Sequence, residues 1–96
     1  MPKYNLSPAA QASLKAIRQY TVKEFGQKQA KVFLSSLRER IKLLAEQPSQ
    51  GKERNDIKIG YYSYFVGSHT IYYRISDTHI DIIDVLHQSM EPVLHI

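Results

Sequence analysis

Apolar positions recur every three to four residues through the first half of the chain and every second residue through the second half, so helices are expected first and strands afterwards. Ser7-Pro8 opens the first helix, with serine as a cap and proline in the first turn. Ala10, Leu14, Ile17 and Thr21 then fall on one stripe, flanked by Ala9, Ser13 and Tyr20, and Phe25-Gly26 supplies a stop. The predicted helix is Pro8 to Phe25. Ala30, Phe33, Leu34, Leu37, Ile41, Leu44 and Ala45 repeat at the same spacing until Glu46-Gln47-Pro48-Ser49-Gln50-Gly51 breaks the pattern. With so little chain between them, the two helices are expected to fold back as an antiparallel hairpin.

Past Lys52-Glu53-Arg54-Asn55-Asp56 the period changes to two, with Ile57, Ile59, Tyr61 and Phe65 on one face and Tyr62, Tyr64 and Val66 on the other. Gly67-Ser68 signals a tight turn. Ile71, Tyr73 and Ile75 then alternate with Thr70, Tyr72 and Arg74, which predicts a β-hairpin. After Ser76-Asp77-Thr78, the run from Ile80 to about Leu86 is apolar in both registers, as expected of an interior strand covered in part on both sides. The helical hairpin is expected to bury one face of the sheet and to leave a tyrosine-bearing, concave face exposed.

A chain of 96 residues, 43% hydrophobic and 23% charged, predicts one small domain spanning residues 1–96. There is no cysteine, so disulfides and thiolate metal sites are excluded. The first residues lack the apolar run of a signal peptide, and no later stretch is long enough to cross a bilayer, so a cytoplasmic protein without membrane contact is expected. Residues 1–58 carry a net charge of +7 and residues 59–96 a net −3. That polarity fits either a solvated helix surface or a surface that attracts an acidic partner.

Chemistry is thinly represented. His69 and His79 fall at turns, where solvated side chains are the norm, and the histidines lack metal-ligand spacing, so no metal or other cofactor is expected. His87, ending the last strand, could act as an acid or base, or be satisfied by backbone where the strand leaves the sheet. Asp81 and Asp84 would point to opposite faces of a regular strand, which disfavours a carboxylate pair. Neither a phosphate-binding glycine loop nor a nucleophile elbow is present. What remains is the group Arg54, Tyr61, Tyr62, Tyr64, Tyr72, Tyr73 and Arg74, whose aromatic rings and cations suit stacking on bases or gripping a peptide, unless the rings are simply core.

The ordered set Tyr4-Asn5-Leu6-Ser7-Pro8-Ala9-Ala10, Leu14-x-x-Ile17-x-x-Tyr20, Gly26-x-x-Gln29-Ala30, Leu37, Leu44-Ala45, Pro48-x-x-Gly51, Arg54-x-Asp56-Ile57, Gly60-Tyr61-Tyr62-Ser63-Tyr64, Ile71-x-Tyr73-Arg74 and Ile82-x-x-Val85-Leu86-His87-x-x-Met90 resembles the ParE branch of the RelE/ParE toxin superfamily. The resemblance implies an α+β fold in the order β-α-α-β-β-β, with the helical hairpin packed on a mainly antiparallel sheet. It also implies a ParD-like antitoxin with an acidic carboxyl-terminal segment, and inhibition of DNA gyrase by protein contact rather than by catalysis. Relatives of the RelE type instead cleave mRNA on the ribosome, and an inactive member would merely sequester antitoxin. Residues 59–96 hold only one cation, Arg74, which disfavours stabilising a developing phosphorane charge. Arg54, Tyr61, Arg74, His87 and Met90 are the candidate gyrase-contact residues. Lys28, Lys31, Arg38, Lys42, Tyr62 and Tyr64 are the candidates for the antitoxin, to which any unpaired sheet edge also offers a place for an added strand. Sequence-specific nucleic-acid binding is not expected.

Overall fold

The computed structural model describes residues 3–96. The elements are β1 (Lys3–Leu6), the helical segment α1 (Pro8–Glu46), a 3₁₀ turn (Pro48–Gln50), β2 (Lys52–Glu53), β3 (Tyr61–Val66), β4 (His69–Ile75), β5 (His79–His87) and a short α2 (Pro92–His95). Ser7 caps α1 as expected: its hydroxyl accepts from the Ala10 N–H at 2.9 Å and donates to the Ile83 carbonyl at 2.6 Å, tying the helix start to β5.

Within α1, Gly26 is non-helical at φ 89° and ψ 168°, dividing the segment into an N-terminal arm, 8–25, and a C-terminal arm, 27–46. A straight helix of 39 residues would run about 58 Å at 1.5 Å per residue, whereas the longest dimension of the molecule is 38 Å. The arms fold back on each other. Ala10 and Leu14 from one, and Leu34, Leu37, Ile41 and Leu44 from the other, share a core with Ile71, Tyr73, Ile80, Ile82 and Val85 of the sheet.

The sheet order is β1-β5-β4-β3-β2, with β1 parallel to β5 and the other pairings antiparallel. β5 is interior, as its apolar pattern predicts. Its regularity is not: Tyr72 pairs with Asp84 and Tyr73 with Ile82, so Ile83 is an extra residue in a β-bulge. The bulge resets the alternation and lets Ile80, Ile82 and Val85 enter one core cluster despite their odd spacing. Apolarity in both registers therefore has two sources, the bulge and the burial of Leu86.

Two further expectations fail. Ile57 and Ile59 are not in a strand. The N–H groups of Ile57 and Lys58 donate to the Arg54 carbonyl at 3.0 and 3.3 Å, Gly60 takes φ 90°, and its N–H donates to Asn55 Oδ1 at 3.1 Å. Turn chemistry around Asn55-Asp56 and Gly60 outweighs the alternation, and Ile59 is left 87% exposed. The exposed tyrosine face is absent too. Tyr62 and Tyr64 pack against the core under the helices, while Tyr61 and Tyr72, on the opposite side of the sheet, are themselves buried.

Candidate docking surfaces

Tyr73 and Gly51 set the frame on which one surface is built. The Tyr73 hydroxyl donates to the Pro48 carbonyl at 2.5 Å and accepts the Gly51 N–H at 3.0 Å, pinning the chain between α1 and β2 onto β4. From there β2 leads directly to Arg54, whose backbone N–H donates to the Tyr61 carbonyl at 2.7 Å.

The Arg54 guanidinium is held by Asp56 through two contacts, Nε to Oδ1 at 3.0 Å and Nη2 to Oδ2 at 3.1 Å, and lies 5.9 Å from the Tyr72 ring centre. Chiefly through that hydrogen bonding, the pair raises the Arg54 pKa and lowers that of Asp56. Arg74 sits opposite Tyr61 in the β3–β4 register and opposite Asp81 in the β4–β5 register. Asp81 is engaged by His79 at 3.1 Å. The Lys58 ammonium lies 5.9 Å from the Tyr61 ring centre. Arg54, Tyr61 and Arg74 thus gather at one end of the sheet, where Ile59 and Ile75 are also exposed. Ile75 ends β4, in a strand as expected, whereas Ile59 was expected in a strand and only turn chemistry in 54–60 could have flagged it.

His87 and Met90 do not join them. Along β3, Tyr61 and the Val66 row that leads through His69 to His87 stand five residues apart, about 16 Å at the rise of a strand. His87 instead helps line a cleft of about 730 Å³ between the tip of the helical arms and the β3–β4 turn, together with Ile17, Phe25, Phe33 and His69. Its Nδ1 accepts the Ser89 N–H at 3.1 Å, which is the structural reading of a histidine at a strand's end. His69, expected in solvent, is half-buried in the same cleft.

Lys28, Lys31, Arg38 and Lys42 are all exposed on the C-terminal arm and fall within an arc of about 80° at 100° per residue, one stripe beside the core-facing side. Lys15 and Arg18, which the sequence pattern did not single out, face Arg38 across a smaller cavity of about 290 Å³ floored by Leu14, Leu34 and Ile41. β1 borders this cavity and has a free outer edge. Tyr62 and Tyr64 are not part of this stripe: Tyr62 stacks on Tyr73 with centroids 5.5 Å apart, and the Arg40 guanidinium covers the Tyr64 ring at 4.9 Å.

Asp84 is buried and clipped to the N-terminal arm, its Oδ1 accepting both the Ser13 hydroxyl at 2.5 Å and the Val85 N–H at 2.8 Å. Asp81 is committed to His79, so the two acids have separate partners. Among the described residues, no three His, Cys, Asp or Glu side chains gather as a metal site would require, and no helix is long and apolar enough to cross a membrane.

Comparison with known proteins agrees with this architecture. Residues 4–92 match the family described as ParE toxin of type II toxin-antitoxin system, parDE. Toxin ParE1 of Mycobacterium tuberculosis is 40% identical over 90 residues, covering 93% of this chain and 92% of that protein. Toxin ParE1 of Caulobacter vibrioides is 35% identical over 96 residues, covering 100% and 99%. Among solved structures, a chain of the chromosomal ParDE system from P. aeruginosa superposes with a TM-score of 0.78 at 21% identity, covering 91% of this chain and 96% of that one. A chain of the RelBE2 toxin-antitoxin complex from Mycobacterium tuberculosis gives 0.67 at 22%, covering 91% and 99%. With the match spanning nearly the whole length, the chain belongs to the ParE toxin family of type II toxin–antitoxin systems.

Proposed function

We propose that this toxin arrests growth by docking on DNA gyrase through the sheet end that carries Arg54, Tyr61 and Arg74, and that an antitoxin neutralises it by laying an acidic segment along the helical arms. The observation that carries the first part is the pinned geometry of that end. Arg54 is fixed by Asp56, Tyr61 is buried, and Arg74 is exposed at the sheet end where Ile59 and Ile75 are exposed as well. A preset surface of aliphatic side chains and one free-standing arginine suits a protein partner. Hydrolysis or transfer at phosphorus asks for cations aimed at the developing charge, and Arg54 is committed to Asp56 instead. His87 and Met90 lie outside this surface and take no part in the reading.

The ribonuclease alternative rests on one feature, the His79–Asp81 pair next to Arg74, which places an oriented imidazole near a cation. One experiment separates the two. Purified toxin is assayed against gyrase supercoiling and gyrase-dependent DNA cleavage, and in parallel against mRNA on translating ribosomes. Inhibition of gyrase that Arg74→Glu weakens at least about tenfold, with intact mRNA, supports docking. Cleaved mRNA with unaffected gyrase, abolished by His79→Ala, replaces it.

For the antitoxin, Lys28, Lys31, Arg38 and Lys42, with Lys15 and Arg18 across the cavity, offer cations over an apolar floor. A partner segment alternating acidic and apolar residues, pairing with the free edge of β1, matches that arrangement.

A further inference from the structure

The cleft at the helical tip contains two imidazoles that neither docking surface uses. His69 and His87 are register partners on β4 and β5, with ring centres 5.2 Å apart and planes at 84°. His69 also meets Phe33 of the C-terminal arm, with centres 5.5 Å apart. The three rings therefore form a continuous contact from the helical arm, across the start of β4, to the end of β5. The same place is laced by the backbone, since the Gln88 N–H donates to the Ser68 carbonyl at 2.7 Å.

Nothing in the cleft would balance a positive charge there. The helical arms bring Tyr20, Thr21 and Gln29 as polar side chains, the turn brings Ser68, and among the described residues no carboxylate, lysine or arginine lines it. Ser68 Oγ lies 3.2 Å from His69 Nδ1, and His87 Nδ1 accepts the Ser89 N–H at 3.1 Å with Ser89 Oγ at 2.8 Å, so each Nδ1 has only a neutral hydroxyl to receive an added proton. A charge on either ring would face its neighbour at 5.2 Å.

We propose that Phe33, His69 and His87 form a proton-operated clasp that holds the β3–β4 turn against the helical tip while His69 is neutral and lets it go when His69 is protonated. The direction follows from burial first, and from the charge of His87 second, both of which push the His69 pKa down from the ordinary imidazole value. A depressed histidine contributes its stability above the ordinary value of about 6.5, and loses it as pH falls through the lowered one. The clasp is thus shut near neutrality and opens in mild acid.

The test uses the intact chain. Ring proton shifts of His69 and His87 are followed by NMR from neutral to acid pH, and exchange of the Gln88 amide is measured alongside, corrected for the intrinsic pH dependence of exchange. His69 is expected to titrate below a free imidazole, and His87→Gln should move it partway back, since burial remains. Gln88 protection should fall by up to about tenfold for each pH unit between the free-imidazole value and the depressed one, and level off below it. In His69→Phe, which keeps an aromatic ring against Phe33 but cannot titrate, that fall should shrink at least about twofold. If His69 titrates at or above the free value, or Gln88 protection is the same on both sides of its titration, the clasp does not exist. The wild-type titration decides the question even if a variant fails to fold.

Discussion

Gly51 and Gly26 are both constrained, for unlike reasons. At Gly51 a side chain has no room, because a Cβ would lie 2.1 Å from the Tyr73 hydroxyl oxygen. Gly51→Ala must therefore displace the pin that joins the 3₁₀ turn to β4, and is expected to cost about 2–3 kcal/mol in urea unfolding. Tyr73→Phe removes the same pin from the other side, leaving the Gly51 N–H and the Pro48 carbonyl without it, at about 1–3 kcal/mol. At Gly26 there is space, with nothing within 4 Å, but the backbone sits at φ +89°. Gly26→Ala should cost about 1–3 kcal/mol through backbone strain and leave the packing of the arms unchanged. A result in which Gly26→Ala is the milder of the two glycine changes by far would still fit, whereas a neutral Gly51→Ala would contradict the contact described. The Pro48-x-x-Gly51 spacing is visible in the sequence, but its partner, Tyr73, lies 22 residues away from Gly51 and could not be read from it.

Among the elements, the helical arms were readable and β5 was only half so. Ser7-Pro8 and Phe25-Gly26 carry local chemistry for a start and a stop, and the arms begin and break there. The bulge at Ile83 has no local signature. It is set where α1 meets β5, with Ser7 bonded to the Ile83 carbonyl and Ser13 to Asp84. Ser13→Ala removes one donor from a buried carboxylate, and is expected to destabilise by about 1–3 kcal/mol in the same unfolding assay. A stability loss near zero would mean that the Val85 N–H alone satisfies Asp84. Ile57 and Ile59 mislead for the complementary reason: their spacing is that of a strand, yet the hydrogen bonds returning to Arg54 and Asn55 close the segment into turns before it can pair. The candidate site suffered in the same way. Arg54, Tyr61 and Arg74 meet because β3 and β4 pair in that register, while His87 ends on another row, beside the helical tip.

Over the whole molecule, charge is segregated, with the basic residues of the first 58 positions concentrated on the helical arms and the loop that follows them. Steering by such a field acts on encounter more than on the lifetime of a complex. Association of an acidic antitoxin segment should therefore slow by about tenfold or more when salt rises from about 0.05 M to about 0.5 M, with a smaller change in dissociation. Reversing Lys31 and Arg38 to glutamate should abolish most of that salt dependence in stopped-flow measurements, while a rate indifferent to salt would remove the electrostatic part of the reading. The sheet end proposed to dock on gyrase sits apart from the basic stripe, so the same double reversal is expected to leave gyrase inhibition within about twofold.

Helix limits, the hairpin of arms, the tight turn at Gly67 and the interior place of β5 are legible from residues close together in the chain, because caps, breakers and apolar periodicity act over a few positions. The bulge, the burial of Tyr61 and Tyr72, the pin between Tyr73 and Gly51, and the meeting of His69 with His87 come from strand register and from helix laid on sheet. Those contacts join positions far apart in the chain, and a pattern read over a few neighbours carries no information about which of them will touch.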